Sequence, residues 1–147
     1  MKKHMLRLTL MAFVTLSAFS ACKKDKDENL AVTSENLVGN YTLADIKVKA
    51  AGQEQSIIGD VPACAKDDVL QLKTGGVLQI VDEGTTCDND ETSTWSLEGN
   101  KITIDASVLD ITGPYDVITF NKSQLVLSMT YTEGGVSFSY VVYLNRK

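Results

Sequence analysis

Two clusters of acidic side chains each lie close to a cysteine, and such oxygen groups could bind a metal ion. The clusters comprise Asp67 and Asp68 near Cys64, and Asp88 and Asp90 after Cys87. Carboxylate oxygens suit a hard cation such as calcium, and a disulfide between the two cysteines would bring both clusters together. Their spacing matches no known calcium-binding loop, so we expect solvated acidic turns and no metal or other cofactor. A calcium site on these four carboxylates is the weaker alternative.

The N-terminal residues have the pattern of an export signal. A basic stretch over residues 1–7 precedes an apolar run over residues 8–19. This run is shorter than the ~20 apolar residues that span a bilayer core. We therefore expect residues 1–21 to be a cleaved signal peptide and not a permanent transmembrane helix.

The apolar run ends in Phe19, Ser20, Ala21 and Cys22, and this ending resembles the lipobox of bacterial lipoproteins. In that motif the cysteine is acylated and becomes the new N-terminus, so we expect Cys22 to anchor the protein in a membrane. The alternative is an ordinary signal peptide cleaved nearby, with Cys22 a stray thiol. A free exposed thiol in an oxidising compartment is a liability, which argues against that alternative.

The charged segment after the lipidation site bears on domain limits and location. It begins with a run that has no apolar residue to bury, so we expect residues 22–36 to form a disordered tether. We expect residues 37–147 to form one folded domain. Lys26, Asp27 and Glu28 resemble the signal that sends some outer-membrane lipoproteins to the outer leaflet, and a soluble linker is the alternative. We expect an exported, outer-membrane-anchored protein on the periplasmic or the surface leaflet.

Cleavage would also remove most of the usual catalytic chemistry. The single histidine of the chain, His4, lies in the signal segment. Without it, histidine-activated nucleophiles and histidine-bound zinc or haem are excluded. Three basic residues are lost as well, which leaves 11 basic against 19 acidic residues and a net charge of −8. That balance disfavours nucleic acid, and we expect neither an enzyme nor a nucleic-acid-binding protein.

Cys64 and Cys87 are the cysteines left after Cys22. Disulfides persist in exported proteins, so we expect these two residues to pair. The bridge would close a loop of about two dozen residues and contribute about 3 kcal/mol in the chain-entropy account. Two isolated buried thiols are the alternative, and a two-cysteine metal site without histidine is still less favoured.

The rest of the chain consists of short Val, Ile, Thr, Tyr and Leu runs separated by Gly, Asn and Asp, which is typical of β-structure. We predict little helix and eight strands, at about residues 38–49, 67–72, 77–82, 92–97, 101–105, 115–120, 124–132 and 136–144. Turn-forming residues at 73–76, 98–100, 121–123 and 133–135 predict tight hairpins. Sequential hairpins of this kind make a meander.

Alternation of apolar residues predicts one inward face on these strands. We predict that it contains Leu70, Leu72, Leu78, Ile80, Trp95, Leu97, Ile102, Ile104, Ile118, Phe120, Leu125, Leu127, Met129, Phe138, Tyr140, Val142 and Leu144. The first strand changes phase between Leu43 and Ile46, which predicts a bulge near Ala44 and Asp45.

An eight-stranded meander can close on itself, and its interior is then filled by side chains or holds one small ligand. We therefore predict an all-β fold, an eight-stranded antiparallel meander β-barrel. A two-sheet β-sandwich is the alternative.

Several short pieces, in order and spacing, resemble the lipocalin-like domain family of small bacterial lipoproteins. They are Leu37 to Tyr41, Cys64 with Asp67 and Asp68, Cys87, Trp95 to Leu97, Asn100 to Ile102, and Leu125 to Leu127. Tyr41 stands where the family usually has tryptophan. The resemblance implies a lipocalin-like barrel and the pairing of Cys64 with Cys87, and function only by analogy.

The large inward side chains are the candidates for a ligand cavity. They are Tyr41, Trp95, Phe120, Met129, Phe138 and Tyr140. In a domain this small, plain core is the more frequent role of such residues. We expect a binding module for a small hydrophobic or amphipathic ligand at the cell envelope, with the membrane as a partner through the lipid. The alternative is a structural or protein-interaction lipoprotein with a filled barrel core.

Overall fold

The computed structural model describes residues 28–86, 90–109 and 111–147. A four-residue helix, α1 (Ser34–Leu37), is followed by the strands β1 (Gly39–Ala50), β2 (Gln53–Ser56), β3 (Val69–Leu72), β4 (Val77–Val81), β5 (Glu91–Glu98), β6 (Lys101–Ala106), β7 (Ile111–Phe120), β8 (Gln124–Glu133) and β9 (Val136–Arg146). Short 3₁₀ turns lie at Ile58–Asp60, Ala63–Ala65, Thr74–Gly76 and Ser107–Leu109. None of the helices in these ranges is long and apolar enough to cross a membrane.

The strands form a closed barrel. Each strand from β3 to β9 pairs antiparallel with its neighbours, and β1 pairs with β3 on one side and β9 on the other. The predicted all-β, eight-stranded antiparallel meander barrel is therefore confirmed. The alternative of a two-sheet β-sandwich is wrong. The ninth strand, β2, pairs with Lys47–Ala50 of β1 beyond the last β3 partner. It was not predicted, because its four residues Gln53–Ser56 are all polar and exposed and show no alternation.

Two bulges set the phase of the inward face. The register of β1 against β9 shifts between Leu43 and Asp45, as the sequence predicts, and both Leu43 and Ile46 are buried. A second shift lies in β7 between Val117 and Thr119 and was not predicted. The inserted residue there, Ile118, is 61% exposed, so its predicted place on the inward face was wrong. A bulge inserts one extra residue into a strand, so a prediction that every second residue points inward fails at that position.

The interior of the barrel holds one hydrophobic cluster to which all eight barrel strands contribute. Its strand residues are Tyr41, Leu43, Ile46, Leu70, Leu72, Leu78, Ile80, Trp95, Ile102, Ile104, Ala106, Ile111, Tyr115, Val117, Phe120, Leu125, Leu127, Val142 and Leu144. The predicted inward residues Leu97, Met129 and Tyr140 are half-buried against this cluster. Burial of this apolar surface is the main favourable contribution to folding.

The two ends of the barrel differ. At the end that we call the helix end, α1 leads into β1, and the short turns at 73–76, 99–100 and 121–123 lie at the same end. At the other end, which we call the mouth, residues 57–68 form a connection longer than any at the helix end, the β4–β5 and β6–β7 connections also lie there, and a tight turn lies at 134–135. Long connections carried by a rigid scaffold are the usual place for binding residues.

The chain is already packed on the barrel before β1 begins. Asn29 forms a bridge with Asn121, and the Leu30 N–H donates to the Phe120 carbonyl oxygen at 2.8 Å. Leu30 and Val32 pack against the core cluster, and Thr33 Oγ1 caps α1 by accepting the Asn36 N–H at 3.2 Å. The packed domain therefore starts near residue 29, inside the segment 22–36 that was expected to be a tether.

Candidate ligand-binding site

The β8–β9 hairpin carries an apolar face that continues from the core to the mouth. Leu127 and Val142, an inward pair inside the barrel, are fully buried. Two further pairs follow on the same face towards the mouth, Met129 with Tyr140 and Tyr131 with Phe138. Their burial decreases along the hairpin, since Met129, Phe138 and Tyr140 are half-buried and Tyr131 is 44% exposed.

The outer pair is a stacked aromatic pair at the rim. The rings of Tyr131 and Phe138 have centroids 5.4 Å apart and an interplanar angle of 16°. This offset geometry is a favoured one for aromatic rings. It presents a rigid apolar surface that is open to water at the mouth.

The polypeptide segment that follows β2 also contributes apolar side chains to the mouth. The Ile57 N–H donates to the Ile46 carbonyl oxygen at 2.8 Å, which continues the ladder of the β1–β2 hairpin. The chain then forms the 3₁₀ turn Ile58–Asp60, in which the Asp60 N–H donates to the Ile57 carbonyl oxygen at 3.0 Å. Ile57 and Val61 pack against the core cluster. These contacts hold apolar side chains on a loop that faces the barrel opening.

Two clefts meet at Tyr140. One has a volume of about 180 Å³ and is lined by Thr112, Tyr115, Met129, Tyr131 and Tyr140. The other has a volume of about 170 Å³ and is lined by Ile46, Ile57, Asp60, Val61, Pro62, Leu109 and Tyr140. Each is smaller than the ~300 Å³ lower limit of typical ligand pockets. A drug-sized ligand would therefore have to span both clefts, across Tyr140.

The clefts are suited to a largely apolar molecule. Among the described residues that line them, Asp60 carries the charged side chain, and Thr112 and Tyr131 carry hydroxyl groups. Apolar walls with a few polar groups are the usual composition of a small-molecule site. The arrangement can hold an apolar body and hydrogen-bond to a polar end.

Two of the predicted cavity residues belong to the packed core at the helix end. Tyr41 is fully buried, and its hydroxyl donates to the Leu37 carbonyl oxygen at 2.7 Å. Burial raises the pKa of Tyr41 to about 12, although the positive charge of Arg146 acts in the opposite direction. Phe120 is 3% exposed, and the Arg146 guanidinium lies 5.3 Å from its ring centroid. Neither residue lines the two mouth clefts.

Trp95 also lies at the helix end of the barrel. It is 5% exposed, and its Nε1–H donates to the Lys73 carbonyl oxygen at 2.9 Å. It lines a separate cleft at the helix end. The structure thus brings Met129, Phe138 and Tyr140 together at the mouth and separates them from the other predicted residues.

The acidic residues near the cysteines organise the β4–β5 connection. Asp67 Oδ2 accepts the Thr85 N–H at 2.9 Å, and Asp90 Oδ1 accepts the Asp82 N–H at 2.9 Å. Asp68 is 1% exposed. Within the described ranges, no group of three or more His, Cys, Asp or Glu side chains is placed to hold a metal ion. Asp88 lies outside those ranges.

The predicted cysteine modifications stay predictions. Cys22 and Cys87 both lie outside the described residues, as does the whole signal segment 1–21. Cys64 is half-buried in the 3₁₀ turn Ala63–Ala65.

Some mouth residues were missed at the level of sequence. Tyr131 shares the parity of Met129 within the predicted strand 124–132, so alternation alone could have extended the inward face to it. Ile57, Val61 and Leu109 lie in connections that have no period, and the sequence carries no signal that they meet Tyr140.

Comparison with known proteins agrees with this architecture. The family model of the lipocalin-like domain matches residues 37–127, which is more than half of the chain and includes β1 to β7 and the start of β8. Neither the curated proteins nor the solved structures contain a match. On the strength of the closed eight-stranded barrel and this match, the chain belongs to the lipocalin-like domain family.

Proposed function

We propose that this protein binds a small hydrophobic or amphipathic molecule at the mouth of its barrel. The observation that carries the proposal is the apolar face of the β8–β9 hairpin, which leaves the packed core and lines the mouth. Tyr131 and Val136 on that face are each 44% exposed. A ligand seated across Tyr140 would remove such surface from water, which is favourable.

The proposal is for binding and not for catalysis. The one histidine of the chain lies at position 4, in the segment expected to be cleaved. The clefts at the mouth offer hydroxyl groups and the Asp60 carboxylate, which suit hydrogen bonding to the polar end of a ligand.

Binding is tested by titrating the purified protein with N-phenyl-1-naphthylamine, a neutral apolar dye whose fluorescence rises in an apolar site. We expect saturable binding and a loss of at least tenfold in affinity for Tyr140→Ala, because that side chain lines both clefts. Tyr143→Ala is the matched control, since Tyr143 lies on the same strand with opposite parity and lines neither cleft. Circular dichroism melting checks that both variants are folded. Equal dye affinity in wild type and Tyr140→Ala would refute the mouth as the site.

We further propose that the protein is exported and anchored at the outer membrane through lipid on Cys22. The basic, apolar and small residues that end in Cys22 support this proposal. Metabolic labelling with an alkyne-tagged fatty acid should label the wild type and a Cys64→Ser variant but leave Cys22→Ser unlabelled. Label on Cys22→Ser would place the lipid elsewhere, and an unlabelled wild type would reject the anchor.

The second candidate function is a structural or protein-interaction lipoprotein with a filled core. It is favoured by the single cluster into which all eight barrel strands send buried side chains. The same titration separates the two functions. A folded wild-type protein that binds neither the dye nor extracted envelope lipids would favour the interaction role.

A further inference from the structure

A cleft of about 450 Å³ lies at the helix end of the barrel, away from the mouth. Its apolar lining comes from Val38, Trp95 and Leu97. It shares no lining residue with the two mouth clefts. Its volume falls within the ~300–1,000 Å³ range of small-molecule sites, which neither mouth cleft reaches alone.

Two glycines of the turn between β3 and β4 line the cleft without adding a side chain to it. Gly75 and Gly76 have φ values of +77° and +75°, in the left-handed region that glycine tolerates best. A Cβ at Gly76 would lie 2.8 Å from the Trp95 carbonyl oxygen. The pair of glycines therefore lets the turn approach β5 closely while adding no side chain to the cleft.

Trp95 offers the cleft an apolar surface only. The polar atom of its indole is already used, because Nε1–H donates to the Lys73 carbonyl oxygen at 2.9 Å. The ring is held in one orientation by that bond and by its place in the core cluster. A ligand would meet a preorganised aromatic wall, which lowers the entropy cost of binding.

The charge of the lining selects the polar end of a ligand. Among the residues that line the cleft, Glu35 on α1 is the charged one, and it is exposed. The Arg146 guanidinium binds the Asn36 and Val38 carbonyl oxygens and is not among the lining residues. A carboxylate at the edge of an apolar cleft favours a cationic group and disfavours an anionic one. We propose that this helix-end cleft is a second ligand site, independent of the mouth, for a small molecule with an apolar body and a cationic end.

Trp95 is the single tryptophan of the chain, so its fluorescence reports directly on the cleft. The probes are octylammonium chloride and sodium octanoate, which have equal chain lengths and opposite charges, each below its micelle concentration. We expect octylammonium to change Trp95 emission saturably, with an affinity about fivefold higher than that of octanoate at low salt. In 1 M NaCl the preference should shrink, because the carboxylate is exposed.

Three variants separate this site from the alternatives. Glu35→Gln should abolish the preference for octylammonium, whereas Glu98→Gln, at an exposed position on β5 outside the lining, should retain it. Ser34→Leu should fill the cleft and weaken binding, and Ser137→Leu, at an exposed position on β9, should not. Tyr140→Ala should leave the Trp95 response unchanged even where it abolishes dye binding at the mouth. A wild type without a saturable response, or a response that Tyr140→Ala removes and Ser34→Leu preserves, would overturn the proposal.

Discussion

Removing the hydroxyl group of the buried Tyr41 gives the most specific test of the structure. The Tyr41 ring is fully buried, and its hydroxyl donates to the Leu37 carbonyl oxygen, which ends α1. Tyr41→Phe keeps the ring and deletes one hydrogen bond, leaving a buried carbonyl without this donor. Such losses cost about 1–3 kcal/mol. We therefore expect Tyr41→Phe to lower the free energy of unfolding by this amount at pH 8.

The same tyrosine makes the protein sensitive to alkali. The pKa of Tyr41 is raised by burial from 10.0 to about 12 in the folded state. Below pH 10 the phenol is neutral in both the folded and the unfolded chain, so its full contribution to stability is present. Between about pH 10 and 12 the unfolded chain ionises and the folded one resists, so stability falls. At about 1.4 kcal/mol per pKa unit, the loss reaches roughly 3 kcal/mol.

Urea unfolding followed by far-ultraviolet circular dichroism at pH 8, 10 and 11 measures both effects. The difference in the free energy of unfolding between wild type and Tyr41→Phe should become smaller as the pH rises, because the variant lacks the ionising group. Tyr131→Phe, at a side chain 44% exposed, should stay within about 0.5 kcal/mol of wild type at pH 8. A gap that is constant from pH 8 to 11 would refute the assignment of the alkaline loss to Tyr41.

Arg146 donates to the backbone carbonyl oxygens of Asn36 and Val38 at 3.0 and 3.2 Å. Arg146→Ala should therefore lower the free energy of unfolding by about 2–3 kcal/mol in urea, and Arg146→Lys should lower it less. Equal losses for the two variants would contradict this hydrogen-bond geometry. Gly75→Ala should lower the free energy of unfolding by about 1–2 kcal/mol, because an alanine there would keep a positive φ. Gly76→Ala should lower it further, because its Cβ would also lie 2.8 Å from a backbone oxygen. The reverse order in the same assay would contradict the described geometry of the turn. If Cys64 and Cys87 pair, neither should react with iodoacetamide in the denatured, unreduced protein, and reduction should cost about 3 kcal/mol; alkylation of either without reductant would exclude the bridge.

The barrel strands were predictable because each buried face repeats every second residue. The phase change between Leu43 and Ile46 even located the bulge of β1. Ile118 was misplaced because the bulge in β7 depends on its register against β8, and an apolar residue at that position fits the alternation equally well. The strand β2 has no apolar residue, and it is held by its ladder to β1 and by ion pairs such as Lys47 with Glu54 at 2.6 Å. Pairing of this kind leaves no periodic trace in the sequence.

The candidate site was predictable only in part, because much of it depends on contacts between elements that leave no local pattern in the sequence. Met129, Phe138 and Tyr140 follow from strand alternation, but the sequence does not say where along a strand the packed core ends. Trp95 was correctly placed on the inward face, yet its cleft depends on the close approach of the turn at Gly75 and Gly76. Such an approach is a tertiary contact, and a single sequence does not encode it in any local pattern.

The pairing of the first barrel strand with the last has a consequence for how the chain folds. Tyr41 pairs with Arg146, so closure joins residues about 100 positions apart. The entropy of closing so long a loop must be overcome before the pairing contributes, which makes this a slow and late step. Until then, both β1 and β8 expose open edges that can pair with other molecules. The eleven residues of β9 cover both edges at once, and β9 follows the other described strands in the chain.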